Sequence, residues 1–201
     1  VTSPAERTAI IEAAYRVLSA SGGDSVAVSE ILRDAGLSTR AFYRHFDSKD
    51  ALLLAMFRQE TAAMTARLEA AVAAAPTTPD ALRVWVQEFL RVASSPRRRQ
   101  RAVILSSEEV TRARGYLAAR QNMLLQQERA IADLLRRGLL DGSFPWADPA
   151  ADARSVRAAI GQAFDSLMHG LAEVAADEAA AQVVDFAFRA VGHTAKVRHD
   201  S

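Results

Sequence analysis

The sequence contains no cysteine. It therefore carries neither a disulfide framework nor a thiolate metal site, a composition that suits a reducing compartment, and cytoplasm is the expected location. No apolar run approaches the roughly 18 residues of a membrane span. The amino end as written has no charged segment followed by an apolar one, so neither a span nor a signal peptide is expected. Lysine is nearly missing, with Lys49 and Lys196 standing alone, which leaves arginine to supply the positive charge. Alternating apolar and polar stretches, internal repeats and low-complexity linkers are also lacking, so the fold is expected to be all-α throughout. Excess charge is absent too: the net is +1 over 201 residues, and within residues 1–50 six basic side chains face seven acidic ones. This disfavours non-specific, charge-driven attachment to nucleic acid. Any affinity for DNA has to come from where the bases sit, and from doubling in a dimer.

Catalytic signatures are missing as well. No GxSxG, phosphate loop or HExxH occurs, and no cofactor is expected. Asp165 and His169 lie one helical turn apart, but no third ligand with convincing spacing joins them, so they read as an ordinary surface pair. Glu108 and Glu109 stand where acids commonly open a helix. The chain is not expected to be an enzyme.

Half of the residues are hydrophobic, enough for a sizeable core. The most informative stretch is Val28 to Lys49, VSEILRDAGLSTRAFYRHFDSK. Ile31, Leu32 and Ala35 share one helical face, Gly36 suits a left-handed helix end, and Ser38 can cap a second helix that buries Phe42 and Phe46. This is a helix-turn-helix pattern. With the two phenylalanines inward, Thr39, Arg40, Tyr43 and Arg44 point outward on the first turns, where a recognition helix carries its base contacts. Arg40 or Arg44 could bond guanine O6 and N7 together, and the Thr39 methyl could meet a thymine methyl. Tyr43, His45 and Lys49 are donors suited to phosphate oxygens, with Lys49 near the next helix's amino end. Spacing alone leaves two readings open, since a glycine between two short amphipathic helices also occurs in proteins that never touch nucleic acid.

The stretch SEILRDAGLSTRAFYRHFDSKDALL resembles the DNA-binding domain of TetR-family transcriptional regulators, whose motif runs here through Phe42, Tyr43, Arg44, His45, Phe46 and Lys49. The resemblance implies base reading by Ser29, Thr39, Arg40 and Tyr43, with Ser38 at the helix start and phosphate contacts from Tyr43, His45 and Lys49; Arg44 falls where the family varies. Two departures are visible. Ala27 stands in place of a usual capping threonine, and Leu32 in place of a usual small residue.

Around this motif, Pro4 to Ser21 reads as a first helix, with Ser3 as its cap and Gly22 and Gly23 as its stop. It completes a three-helix DNA-binding domain, residues 1–47. Residues 48–201 form a larger helical domain for effector binding and dimerisation, giving about nine helices in all. Its helices are expected from Ser48 to Ala74, from Thr78 (cap) and Pro79 to Leu90, after Pro96, from Ser107 to Leu140, from Ala150 to Ala175 with Asp148 and Pro149 opening it, and from Asp177 to Val197. The run Arg97 to Arg101 reads as a solvated face.

The middle helices mix aromatics, methionine and scattered polar groups: Trp85, Phe89, Tyr116, Met123, Gln127, Phe164 and Met168. Each alone reads as plain core. The resemblance implies that together they line a pocket for a small, largely apolar effector that shifts the long fourth helix. The last two helices, apolar on two faces, can pair with a second copy as a four-helix interface. The resemblance implies such a homodimer, most often a repressor, on a palindromic double-stranded operator. A helical interaction protein with a helix-turn-helix that no longer binds DNA is the alternative.

Overall fold

The computed structural model describes residues 4–22 and 25–194. Among them are ten helices and no strand: α1 (Pro4–Ala20), α2 (Val28–Ala35), α3 (Thr39–His45), α4 (Lys49–Ala74), α5 (Thr78–Leu90), α6 (Pro96–Leu105), α7 (Glu108–Thr111), α8 (Tyr116–Asp141), α9 (Pro149–Met168) and α10 (Ala176–Ala190). The expected cap Ser3, the stop Gly23 and the expected helix end at Val197 lie outside the described residues.

The chain packs as two compact units, Val1–Ala63 with Pro96–Asn122, and Met64–Ser95 with Met123–Ser201. This packing differs from a single division after residue 47, because the first unit also takes the start of α4, all of α6 and α7, and the start of α8.

In the first unit α1 packs on α2, α3 and α6. Ile10, Ile11, Ala14, Leu18, Ile31 and Phe42 are fully buried there, and Leu32 and Phe46 nearly so. Each large apolar side chain so removed from water contributes about 1.5–3 kcal/mol, which is what short α2 and α3 cannot gain alone. The second unit is built on α5, α9 and α10, which pack on one another around Leu82, Trp85, Val86, Leu135, Phe144, Val156 and Ala187.

Several helix ends correct the expectations. The cap of α5 is Thr77, whose hydroxyl accepts from the Asp80 amide at 3.2 Å. Thr78, the expected cap, is buried and donates to Asp141 at 2.5 Å. The single helix expected over 107–140 is two, α7 and α8, separated by a turn at residues 112–115 that ends on Gly115 at φ +87°. Burial of Val110, Ala113 and Tyr116 decides this break, which no helix-breaking proline announces. Helix α9 stops at Met168 rather than Ala175, and α10 at Ala190. Asp148 does open α9: its Oδ1 accepts from the amides of Ala150 and Ala151 at 3.1 and 3.0 Å. Phe144, ahead of it, is fully buried against α8, so close to Gly138 that a Cβ there would lie 2.0 Å from the ring.

Candidate nucleic-acid interface and helical pocket

Local chemistry fixes the angle between α2 and α3. Ala27 offers no side chain to cap α2, yet Glu30 reaches back and accepts from the Ala27 amide at 2.8 Å, which offsets the missing threonine. Gly36 ends α2 at φ 66°, ψ 30°, and the next amide, Leu37, returns to the Leu32 carbonyl at 3.0 Å. Ser38 then opens α3, its Oγ accepting from the Ala41 amide at 3.2 Å.

With that angle set, the outer row of α3 is Thr39, Arg40 and Tyr43, all exposed, and Ser29 on α2 is exposed as well. Tyr43 is 61% exposed, its ring edge-on to Phe42 at 5.4 Å. Arg40 makes no hydrogen bond or ion pair among the described residues and is free to meet a base. Ser38 serves as the cap.

Three expected contact residues are held by the protein itself. The Arg44 guanidinium donates to both carboxylate oxygens of Glu6 at 3.0 and 2.9 Å, so it binds α3 to α1. His45 is not at the surface: its side chain is 2% exposed, with Nε2 3.0 Å from Glu6 Oε2. The bond to His45, followed by the charge of Arg44, holds the Glu6 carboxyl below its ordinary range. Lys49 forms an ion pair with Glu109 of α7 and donates to Ser25 at 3.2 Å. Sequence reading missed Glu6 and Glu109, because nothing local in the chain connects them to partners 38 and 60 positions away.

In the second unit, a cavity of about 500 Å³ is walled by α4, α5 and α8. Trp85 and Gln127 line it. Phe89 stacks on Trp85 at 5.5 Å, and Phe164 meets Phe89 edge-on at 5.5 Å, extending the aromatic group behind the wall. Met123 and Met168 are partly buried and do not line the cavity. Tyr116 is placed elsewhere: it packs in the first unit against Phe57 at 5.0 Å, where burial raises its hydroxyl pKa. The expectation missed Leu68, Val72, Arg129 and Arg137. For Leu68 and Val72 the spacing of one helical turn on α4 was the available signal; the two arginines carried none.

The ring Nδ1 of His169 lies 2.8 Å from the Asp165 main-chain oxygen, and among the described residues no group of three or more His, Cys, Asp or Glu is placed to hold a metal ion. Among the described residues no helix is long and apolar enough to cross a membrane.

The arrangement defines a class first: a helix-turn-helix protein with an appended helical unit that holds a cavity. Residues 10–56, about a quarter of the chain, match the sequence profile described as "Bacterial regulatory proteins, tetR family". A curated relative, the HTH-type transcriptional regulator BetI of Rhizobium meliloti (strain 1021), is 33% identical over 88 residues, 44% of this chain and 43% of that protein. The match thus spans less than half of the relative's length. Among solved structures, the SmeT–triclosan complex superposes with a TM-score of 0.77 at 22% identity, covering 92% of this chain and 91% of that one. FadR from Bacillus subtilis in complex with stearoyl-CoA gives 0.74 at 16% identity, covering 92% and 98%. At these identities the two structures establish the fold.

Proposed function

We propose that this chain is a sequence-specific DNA-binding transcriptional regulator, acting in the cytoplasm as a homodimer and released from a palindromic operator by a small, largely apolar effector. The reading rests on one observation: a capped, rigidly angled α3 presents Thr39, Arg40 and Tyr43 outward, with the Arg40 guanidinium unengaged. A bidentate arginine on guanine, beside a threonine methyl on thymine, is how such a face reads a major groove. Ser29 on α2 adds a base contact, and Lys49, paired with Glu109 in the free protein, a phosphate contact.

Dimerisation is assigned to α9 and α10, whose outer side and adjoining loop carry exposed Phe186 and Leu171. Repression follows if the operator overlaps a promoter. The cavity at Trp85 and Gln127 takes the effector; two fold relatives were solved with triclosan and with stearoyl-CoA. An effector that prefers the conformation that binds DNA less well weakens DNA binding by the same free energy by which DNA weakens effector binding.

Selection of DNA from a random pool at moderate salt tests the reading. An enriched palindrome, retarded as a dimer, supports it, and loss of repression in a promoter fusion on adding the effector completes it. No enrichment by a folded dimer assigns the chain to the helical interaction proteins. Trp146→Phe leaves Trp85 as the only tryptophan, so its fluorescence reports effector binding directly.

A further inference from the structure

The first half of α4 is fastened along its length by the segment from α7 to the start of α8. Lys49 pairs with Glu109, and the Asp50 carboxylate accepts from the Arg114 amide at 3.1 Å. One turn on, Leu54 packs so close to Gly115 that a Cβ there would stand 3.3 Å from its Cδ2, and Phe57 meets Tyr116 edge-on at 5.0 Å. Four successive contacts in register make one strap. Its first contact engages the same ammonium that stands at the amino end of α4, next to the recognition helix. The Lys49 and Glu109 side chains are 24% and 16% exposed, so the pair is screened less than an ordinary surface pair.

We infer that Glu109 is an internal competitor for DNA phosphate: its carboxylate neutralises Lys49 while the strap is closed, and it sets the overall affinity of the regulator without touching a base. This rests on the DNA-reading function proposed above. A lysine ammonium has three donors, and the hydroxyl of Ser25 and the carboxylate of Glu109 occupy two of them. A phosphate arriving at the third meets a neutralised charge and a neighbouring anion, so no counterion is released at this position. Breaking the pair makes one more cation per protomer available to a phosphate.

The test measures Kd for the selected operator and for unrelated duplex DNA across a salt series, using the full-length dimer and the variants Glu109→Gln, Lys49→Ala, their double mutant and Leu54→Ala. Circular dichroism confirms the folded fraction of each. Glu109→Gln is expected to bind both DNAs roughly two- to fivefold more tightly at low salt, the range of one ion pair. It should steepen the plot of log K against log salt by about 0.9 for each additional phosphate neutralised. The effect should vanish in the Lys49→Ala background. Leu54→Ala loosens the strap without changing charge and should leave the slope unaltered. An unchanged slope in Glu109→Gln overturns the inference, as does a tighter binding that survives without Lys49 or a steepening reproduced by Leu54→Ala. Failure of the wild-type chain to bind any DNA at low salt overturns instead the function on which it rests.

Discussion

The two compact units both have an apolar core but differ in where their ion pairs run. In the first, ion pairs run between helices: Glu6 joins Arg44 and His45, Arg16 meets Asp34 at 2.6 Å, and Arg101 bridges Glu12 at 2.6 Å and Glu60 at 3.3 Å. In the second, charged pairs mostly stay within one helix, as in Arg83 with Asp80 and Arg189 with Asp185, while Trp85, Phe144 and their neighbours carry the packing. The difference follows from what each has to do. Short α2 and α3 bury little area, so directional bonds must set the angle at which a reading face is offered. The long helices of the second unit bury more area, so packing rather than ion pairs holds them together.

The contrast can be broken first in the apolar unit. Phe144→Ala removes a fully buried ring from between α8 and α10 and should cost about 3–5 kcal/mol in urea unfolding. A cost under about 1 kcal/mol would mean that this loop is not part of the core.

On the reading face, Arg40→Ala should lose about 1–3 kcal/mol of operator binding and relax preference at one base pair. Arg44→Ala, with its guanidinium already committed to Glu6, should weaken binding with base preference kept. Selection with each variant compares the two directly; equal relaxation by both would show that Glu6 releases Arg44 on DNA.

The ionic unit has a pH signature. The Glu6 carboxyl lies below its reference value of 4.5, first because of its bond to His45 and then through Arg44. A depressed carboxylate contributes stability above the unfolded value and loses it as pH falls through the folded one. The wild type should therefore lose stability from about pH 5 downward, and Glu6→Gln should flatten that part of the acid limb. Denaturant midpoints from about pH 6 to about pH 3 decide it. The smallest effect belongs to the exposed in-helix pair of the second unit: Asp185→Asn should change stability by no more than about 0.5 kcal/mol.

Much of the fold was legible because its signals are local. Gly36 and Ser38 specify the turn through backbone conformation and a cap, and Asp148 with Pro149 specifies the start of α9, whatever the rest of the chain does. The α7–α8 break was not legible, since burial of Val110 and Ala113 decides it. The pocket was half legible: aromatic content pointed to Trp85, but charged Arg129 and Arg137 look like plain surface until their helix is placed beside α4 and α5.

By itself the sequence determined the all-α class, the helix-turn-helix and the outward row Thr39, Arg40 and Tyr43. Those depend on periodicity and on bonds between residues a few positions apart. Only the tertiary structure decided which of the basic side chains are free. Arg40 stays unengaged, while Glu6 holds Arg44 and His45, and Glu109 holds Lys49. A charge is available to DNA only if no distant carboxylate reaches it, and that depends on packing.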